Sequence, residues 1–306
     1  MEWGKSTCVK HCRVSTFATT KLGGLRQSKE KEKKMRLTPQ ETMVTMPSGA
    51  KEDSRPFFVV HPIEGVVTEL EDFTSLLPFK VYGFQCTTNV SDDSVGSMAS
   101  TYLKLMKDVK TTDPILLLGY SFGASVAFEM ALRLEAEGRK VHLFLIDGSP
   151  DFVRKRTSLY RAKITDADEA DAFSYYITLF KTIDHNEYQK IQQEFKALPN
   201  MEARLSLCAK KLEGEGESED DIKKAAQTFY NKILAAEKYY PSSVFTGKVL
   251  LLKADQNFVA AEKDYGLKKL CKEVPEVYTY KTTHKEIIKI PTVKKIVNRI
   301  INALNS

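Results

Sequence analysis

The chain lacks any run of about eighteen apolar residues, the length a membrane-crossing helix needs, so no transmembrane segment is expected among its 306 residues. It also lacks paired cysteines. Cys8, Cys12, Cys86, Cys208 and Cys271 are odd in number and scattered, and the Cys8/His11/Cys12 group has no second half with which to enclose a metal ion. That fits a reduced, intracellular compartment, the cytoplasm, better than a disulfide scaffold. Basic charge is missing from most of the chain. The net charge is +6, but residues 1–40 hold ten Lys and Arg against three acids, which leaves the remainder nearly neutral. A near-neutral body offers nucleic acid no basic footprint, so none is expected as the main partner. With 42% hydrophobic and 28% charged residues, wholesale disorder is excluded as well.

Sustained apolar periodicity is absent from residues 1–54, which contain the alternating block Lys29-Glu30-Lys31-Glu32-Lys33-Lys34. They are expected to be a basic, disordered tail or linker. The acid-free stretch between Trp3 and Lys29 faintly resembles a mitochondrial transit segment, against which Glu2 and weak amphipathicity weigh. Order is expected from Arg55. Residues 56–60, 80–84, 114–119 and 141–146 read as buried strands, with helices over 94–110 and 124–137 between them. Strand and helix in alternation imply a parallel sheet with helical crossovers, an α/β class. Residues 151–240 are charged, helix-favouring and free of strand signals, and are expected to be a helical insertion. The core would then comprise 55–150 and 241–306, with strands near 247–252 and 277–280. Val293, Ile296, Val297, Ile300, Ile301 and Leu304 define one face of a closing helix.

One motif carries chemistry. Gly119-Tyr120-Ser121-Phe122-Gly123 is G-x-S-x-G, set between a buried strand and a helix. In that setting the serine occupies a strained turn, the small flanking residues let strand and helix approach, and the next backbone N–H can face an oxyanion. Serine needs a base to take its proton. Of five histidines only His284 lies after the last strand and before the closing helix, where such a base belongs. The acid is open between Asp147, which ends the strand after the serine's helix, and Asp255, which ends the following one. A second oxyanion donor is expected in His61-Pro62-Ile63-Glu64-Gly65, from the N–H of Ile63 or Glu64.

These residues, together with YGFQC at 82–86, GYSFGASVAFEMA at 119–131, LFLIDGSP at 143–150, SLYRAK at 158–163 and FYNKILAAEKY at 229–239, resemble the thioesterase domain of animal fatty acid synthase. The likeness runs in order from about residue 55 to 304. It implies an α/β-hydrolase fold, a mostly parallel sheet with helices on both faces and a helical lid insertion whose groove takes the acyl chain. By position it implies Ser121 as nucleophile, His284 as base and Asp147, not Asp255, as acid. It further implies oxyanion donors at the backbone N–H groups of Ile63 and Phe122, and substrate-binding positions at Glu64 and Tyr120. Two departures stand out: Thr282-Thr283 replaces the family's Gly-Asp before the histidine, and the stretch from Ser121 to Asp147 is shorter than in vertebrate members.

The resemblance implies hydrolysis of a long-chain fatty acyl thioester, carried by phosphopantetheinylated acyl-carrier protein or by coenzyme A, as the chain-terminating step of fatty acid synthesis. No metal or cofactor is required by that mechanism. Within the sequence there is no acyl-carrier segment, so a free-standing thioesterase and a fragment of a synthase are both expected forms. A carboxylester lipase with the same triad, or a catalytically weak acyl-binding homologue, is the alternative.

Overall fold

The computed structural model describes residues 37–158, 168–214, 217–257 and 261–305. The first 36 residues and 159–163 of the SLYRAK motif lie outside them, so the expectations placed there are not addressed.

Seven strands form one sheet: β1 (Met43–Thr45), β2 (Pro56–Val60), β3 (Lys80–Phe84), β4 (Ile115–Tyr120), β5 (Val141–Ile146), β6 (Lys248–Gln256) and β7 (Glu276–Thr283). Their spatial order is β1-β3-β2-β4-β5-β6-β7. Only the β1–β3 pair is antiparallel; every other neighbouring pair is parallel. The central strands are continuous apolar runs because both faces are covered. Phe58, Val60, Leu117, Leu143 and Leu145 enter one core with Met98 and Phe128 of the crossover helices α2 (Val95–Met106) and α3 (Gly123–Ala136). Phe57, Val59, Leu116, Leu118 and Ile146 enter the other, against Phe73 of the short α1 (Glu71–Thr74) and the final helix α9 (Thr292–Asn305). In α9 the residues Val293, Ile296, Val297 and Ile300 are buried, as their spacing required.

Between β5 and β6, five helices are found among the described residues of the segment expected to be a helical insertion: α4 (Pro150–Ser158), α5 (Asp168–Phe180), α6 (His185–Lys196), α7 (Met201–Lys211) and α8 (Glu219–Lys238). Aromatic contacts tie them together, with Tyr176 and Phe229 at 4.9 Å and Phe173 and Tyr230 at 5.7 Å between ring centroids.

The start of the fold is a correction. Order was expected from residue 55, yet β1 pairs Met43 with Phe84 and Thr45 with Tyr82, and Leu37 and Met46 are buried. A three-residue edge strand is too short to show the period-two alternation by which strands are recognised. No helix among the described residues is long and apolar enough to cross a membrane.

Candidate active site

The site begins with a backbone that glycine makes possible. Ser121 follows β4 directly and has φ 55°, the strained left-handed conformation of a sharp strand-to-helix turn. A Cβ on Gly119 would lie 2.3 Å from the Gly123 carbonyl oxygen, and one on Gly123 would lie 2.5 Å from that of His61. Larger residues would push helix α3 off the strand, which is why both motif glycines are needed. The turn is held by the Ser121 N–H donating to Ile146 O at 3.0 Å.

His284 follows β7, and its Nε2 lies 2.8 Å from Ser121 Oγ while its Nδ1 lies 2.6 Å from Asp147 Oδ2. Of the two candidate acids, Asp147 is the one whose carboxylate meets His284. Asp255 is exposed, and its Oδ1 accepts the Thr282 N–H at 2.9 Å instead. Asp147 is fully buried, and its Oδ1 accepts the Ala254 N–H at 2.9 Å and the Tyr265 hydroxyl at 2.7 Å. Burial alone would raise its pKa, but the hydrogen bonds from His284, Tyr265 and Ala254 outweigh it and hold the carboxyl below its ordinary value. For His284, burial and the Arg156 guanidinium lower the pKa more than Asp147 raises it, so the imidazole titrates below its ordinary 6.5. A neutral imidazole held this way, with Asp147 fixing the proton on Nδ1, can accept the serine proton at Nε2.

A cavity opens onto Ser121, lined among others by Ile63, Glu64, Tyr120, Phe122, Val153 and Tyr175. Ile63, from the loop after β2, and Phe122, next to Ser121 in the chain, thus line the same cavity as the serine. The insertion contributes through α4 and α5. Tyr120 lines this space, but its hydroxyl donates to the His284 carbonyl at 2.7 Å and its ring stacks on the imidazole at 5.2 Å, so it also holds the histidine loop. Glu64 borders a second cavity formed with Leu37, Pro39 and Thr228. Its Oε2 is enclosed without a hydrogen-bond partner. Burial, reinforced by Glu69, pushes this carboxyl up to about 7 against the pull of Lys232.

Three neighbours are given no role by the sequence. Tyr265 and Asn257 converge on Asp147, with 2.6 Å between the Asn257 amide and the Tyr265 hydroxyl. Lys232 is buried beneath the loop after β2, where a Cβ on Gly65 would meet its Nζ at 2.6 Å. Among the described residues, no group of three or more His, Cys, Asp or Glu is placed to hold a metal ion.

The model of the thioesterase-domain family matches residues 55–303. Among curated relatives, the probable nonribosomal peptide synthetase CymA of Salinispora arenicola is 35% identical over 102 residues, which is 31% of this chain and 1% of that one. Among solved structures, a four-domain nonribosomal peptide synthetase bound to AMP and glycine aligns with 86% of this chain and 20% of its own, at 19% identity and a TM-score of 0.70. The NocB thioesterase domain, in covalent complex with a fluorophosphonate nocardicin G analogue, aligns over 86% and 99% at 18% identity and a TM-score of 0.56. At such identities the structural likeness speaks to the fold, which is the α/β-hydrolase architecture of thioesterase domains.

Proposed function

The chain belongs to the thioesterase-domain family, and from that premise we propose that it hydrolyses a fatty acyl thioester through an acyl-enzyme on Ser121. The observation that carries this reading is the unbroken chain of hydrogen bonds from Ser121 through His284 to Asp147, facing an open cavity. Ser121 Oγ attacks the thioester carbonyl as His284 Nε2 takes its proton. The N–H groups of Ile63 and Phe122 hold the oxyanion, helped by the N-terminus of α3. Collapse of the tetrahedral adduct expels the thiol, which leaves with the proton from His284. A water molecule, deprotonated by His284, then releases the acid by the same steps.

Long acyl chains are the preferred cargo, delivered by a phosphopantetheinylated acyl-carrier protein or by coenzyme A. Support comes from the ordered motifs resembling the fatty acid synthase thioesterase and from the apolar side chains of Ile63, Phe122, Val153 and Tyr175 along the cavity. Glu64, which lines the cavity at Ser121, is placed at the mouth through which the carrier arm would enter. The similarity to peptide synthetases favours a second reading, in which the acyl group is a peptide. A panel of palmitoyl and peptidyl N-acetylcysteamine thioesters, with a palmitoyl oxygen ester as control, separates these. The palmitoyl thioester is expected to give the highest kcat/KM by at least tenfold, about 1.4 kcal/mol. A peptidyl thioester in first place would replace the fatty acyl reading, and the oxygen ester in first place would make the enzyme a lipase.

The lowered His284 pKa sets the pH profile. The base works only as neutral imidazole, which is lost as pH falls through its pKa, and that pKa lies below 6.5. The acid limb of kcat/KM should therefore have its midpoint below pH 6.5. A midpoint at or above that value would contradict the assignment of His284 as base.

A further inference from the structure

His61 opens the loop after β2, and the steps above leave it without a role. It is fully buried, with Nδ1 2.6 Å from the Pro62 carbonyl oxygen and Nε2 2.8 Å from the Tyr102 hydroxyl. A carbonyl can only accept, so Nδ1 carries the proton and Nε2 accepts from Tyr102. Burial and the nearby Lys232 push the imidazole down to about 3, which keeps this one neutral tautomer at any working pH. Its ring lies over that of Phe122, 5.9 Å between centroids and 18° from parallel.

Pro62 O receives a second bond, from the Gly65 N–H at 3.0 Å, closing a turn in which Gly65 has φ 91°. This carbonyl and the Ile63 N–H are the two ends of one planar trans peptide, so they point in opposite directions. Whatever fixes the carbonyl aims the N–H. Two bonds to the carbonyl oxygen also polarise the peptide and strengthen its N–H as a donor.

We infer that His61, braced by Tyr102, is a positioning residue for thioester hydrolysis: its bond to Pro62 O aims the Ile63 N–H at the oxyanion, while its ring packs on the residue that supplies the other donor. This rests on the proposed role of Ile63 and Phe122 as oxyanion donors. His61 acts only through Ile63 and titrates in no step, so it serves the transition state and leaves ground-state binding alone.

The test compares His61→Asn with His61→Leu. Both remove the ring and leave side chains of similar size, but Asn Nδ2 can still donate to Pro62 O. Three quantities are read for each: kcat and KM with palmitoyl-N-acetylcysteamine, inhibition by a palmityl trifluoromethyl ketone, and inhibition by the chain-matched thioether. The ketone forms a tetrahedral adduct on the serine and needs the oxyanion donors; the thioether has no carbonyl. Misaiming one donor is expected to lower kcat in His61→Leu by about tenfold to a hundredfold. Ketone affinity should weaken in parallel, while KM and thioether affinity stay within about twofold of wild type. His61→Asn should recover most of the kcat. Equal weakening of ketone and thioether, or an Asn variant as impaired as the Leu variant, would overturn the inference.

If neither His61 variant accumulates as folded protein, Tyr102→Phe leaves the ring in place and removes only the brace at Nε2. It should show the same asymmetry between ketone and thioether at smaller size, and no asymmetry there overturns the inference. Ser121→Ala, assayed alongside, separates the two levels. An inactive Ser121→Ala enzyme without the asymmetry in the other variants removes only the role of His61. An active one removes the acyl-enzyme reading and the inference with it.

Discussion

Replacing Ser121 by Ala is expected to lower turnover of the preferred thioester by about a millionfold, the loss typical when a triad loses its nucleophile. The fold should survive. Ser121 Oγ bonds to His284 Nε2, and that contact serves chemistry more than architecture, because the turn itself is held by the Ser121 N–H bond to Ile146 O. Alanine meets the same cost as serine at φ 55°, so the elbow is not further strained. Circular dichroism and the thermal midpoint should therefore match wild type within a few degrees, while single-turnover assays find no acyl-enzyme. A long-chain fluorophosphonate supplies an independent readout: it phosphonylates Ser121 with loss of fluoride, adding the mass of the phosphonyl group to the wild-type chain and leaving the Ala variant unlabelled. Retained turnover in a folded Ala variant would remove the acyl-enzyme mechanism altogether.

How the site could be read from the sequence follows from which of its parts are local. β2, β3 and β5 run over the residues their apolar patterns indicated, because a strand buried on both faces must be apolar throughout. The turn at Ser121 was legible for a similar reason: Gly119 lets α3 approach β4 and Gly123 lets it approach the end of β2, and that requirement is written in five consecutive residues. The placement of His284 beside Ser121 was legible by order in the chain. Asp147 and Asp255 were not separable by spacing, since each ends a strand beside the next. What distinguishes them is the far end of the carboxylate, where Ala254 and Tyr265 hold Asp147 from segments more than a hundred residues away. Contacts of that range leave no periodicity. Lys232 and Tyr265 escaped notice on the same ground, and β1 because three edge residues are too few to alternate.

Asp147→Asn is expected to lower kcat by about 10⁴-fold, with Asp255→Asn remaining near wild type. The surroundings of the carboxylate dictate how the amide must sit. Oδ1 accepts from the Ala254 N–H at 2.9 Å and the Tyr265 hydroxyl at 2.7 Å, so an asparagine must keep its oxygen there. Its NH₂ group is then turned toward His284 Nδ1, which lies 2.6 Å from Oδ2 in the native protein. A donor facing Nδ1 forces that nitrogen to accept, and the ring proton moves to Nε2. In that tautomer Nε2 can no longer take the Ser121 proton across their 2.8 Å contact, so the base is lost although every heavy atom stays in place. KM should change little, because both oxygens of Asp147 are taken up by Ala254, Tyr265 and His284. At Asp255 the same substitution keeps an oxygen for the Thr282 N–H at 2.9 Å, and the exposed amide costs almost nothing. Steady-state kinetics on the two variants decide the matter. Should Asp255→Asn be the crippled one while Asp147→Asn turns over normally, the imidazole is oriented by the other strand end, and the hydrogen bond between Asp147 and His284 plays no part in catalysis.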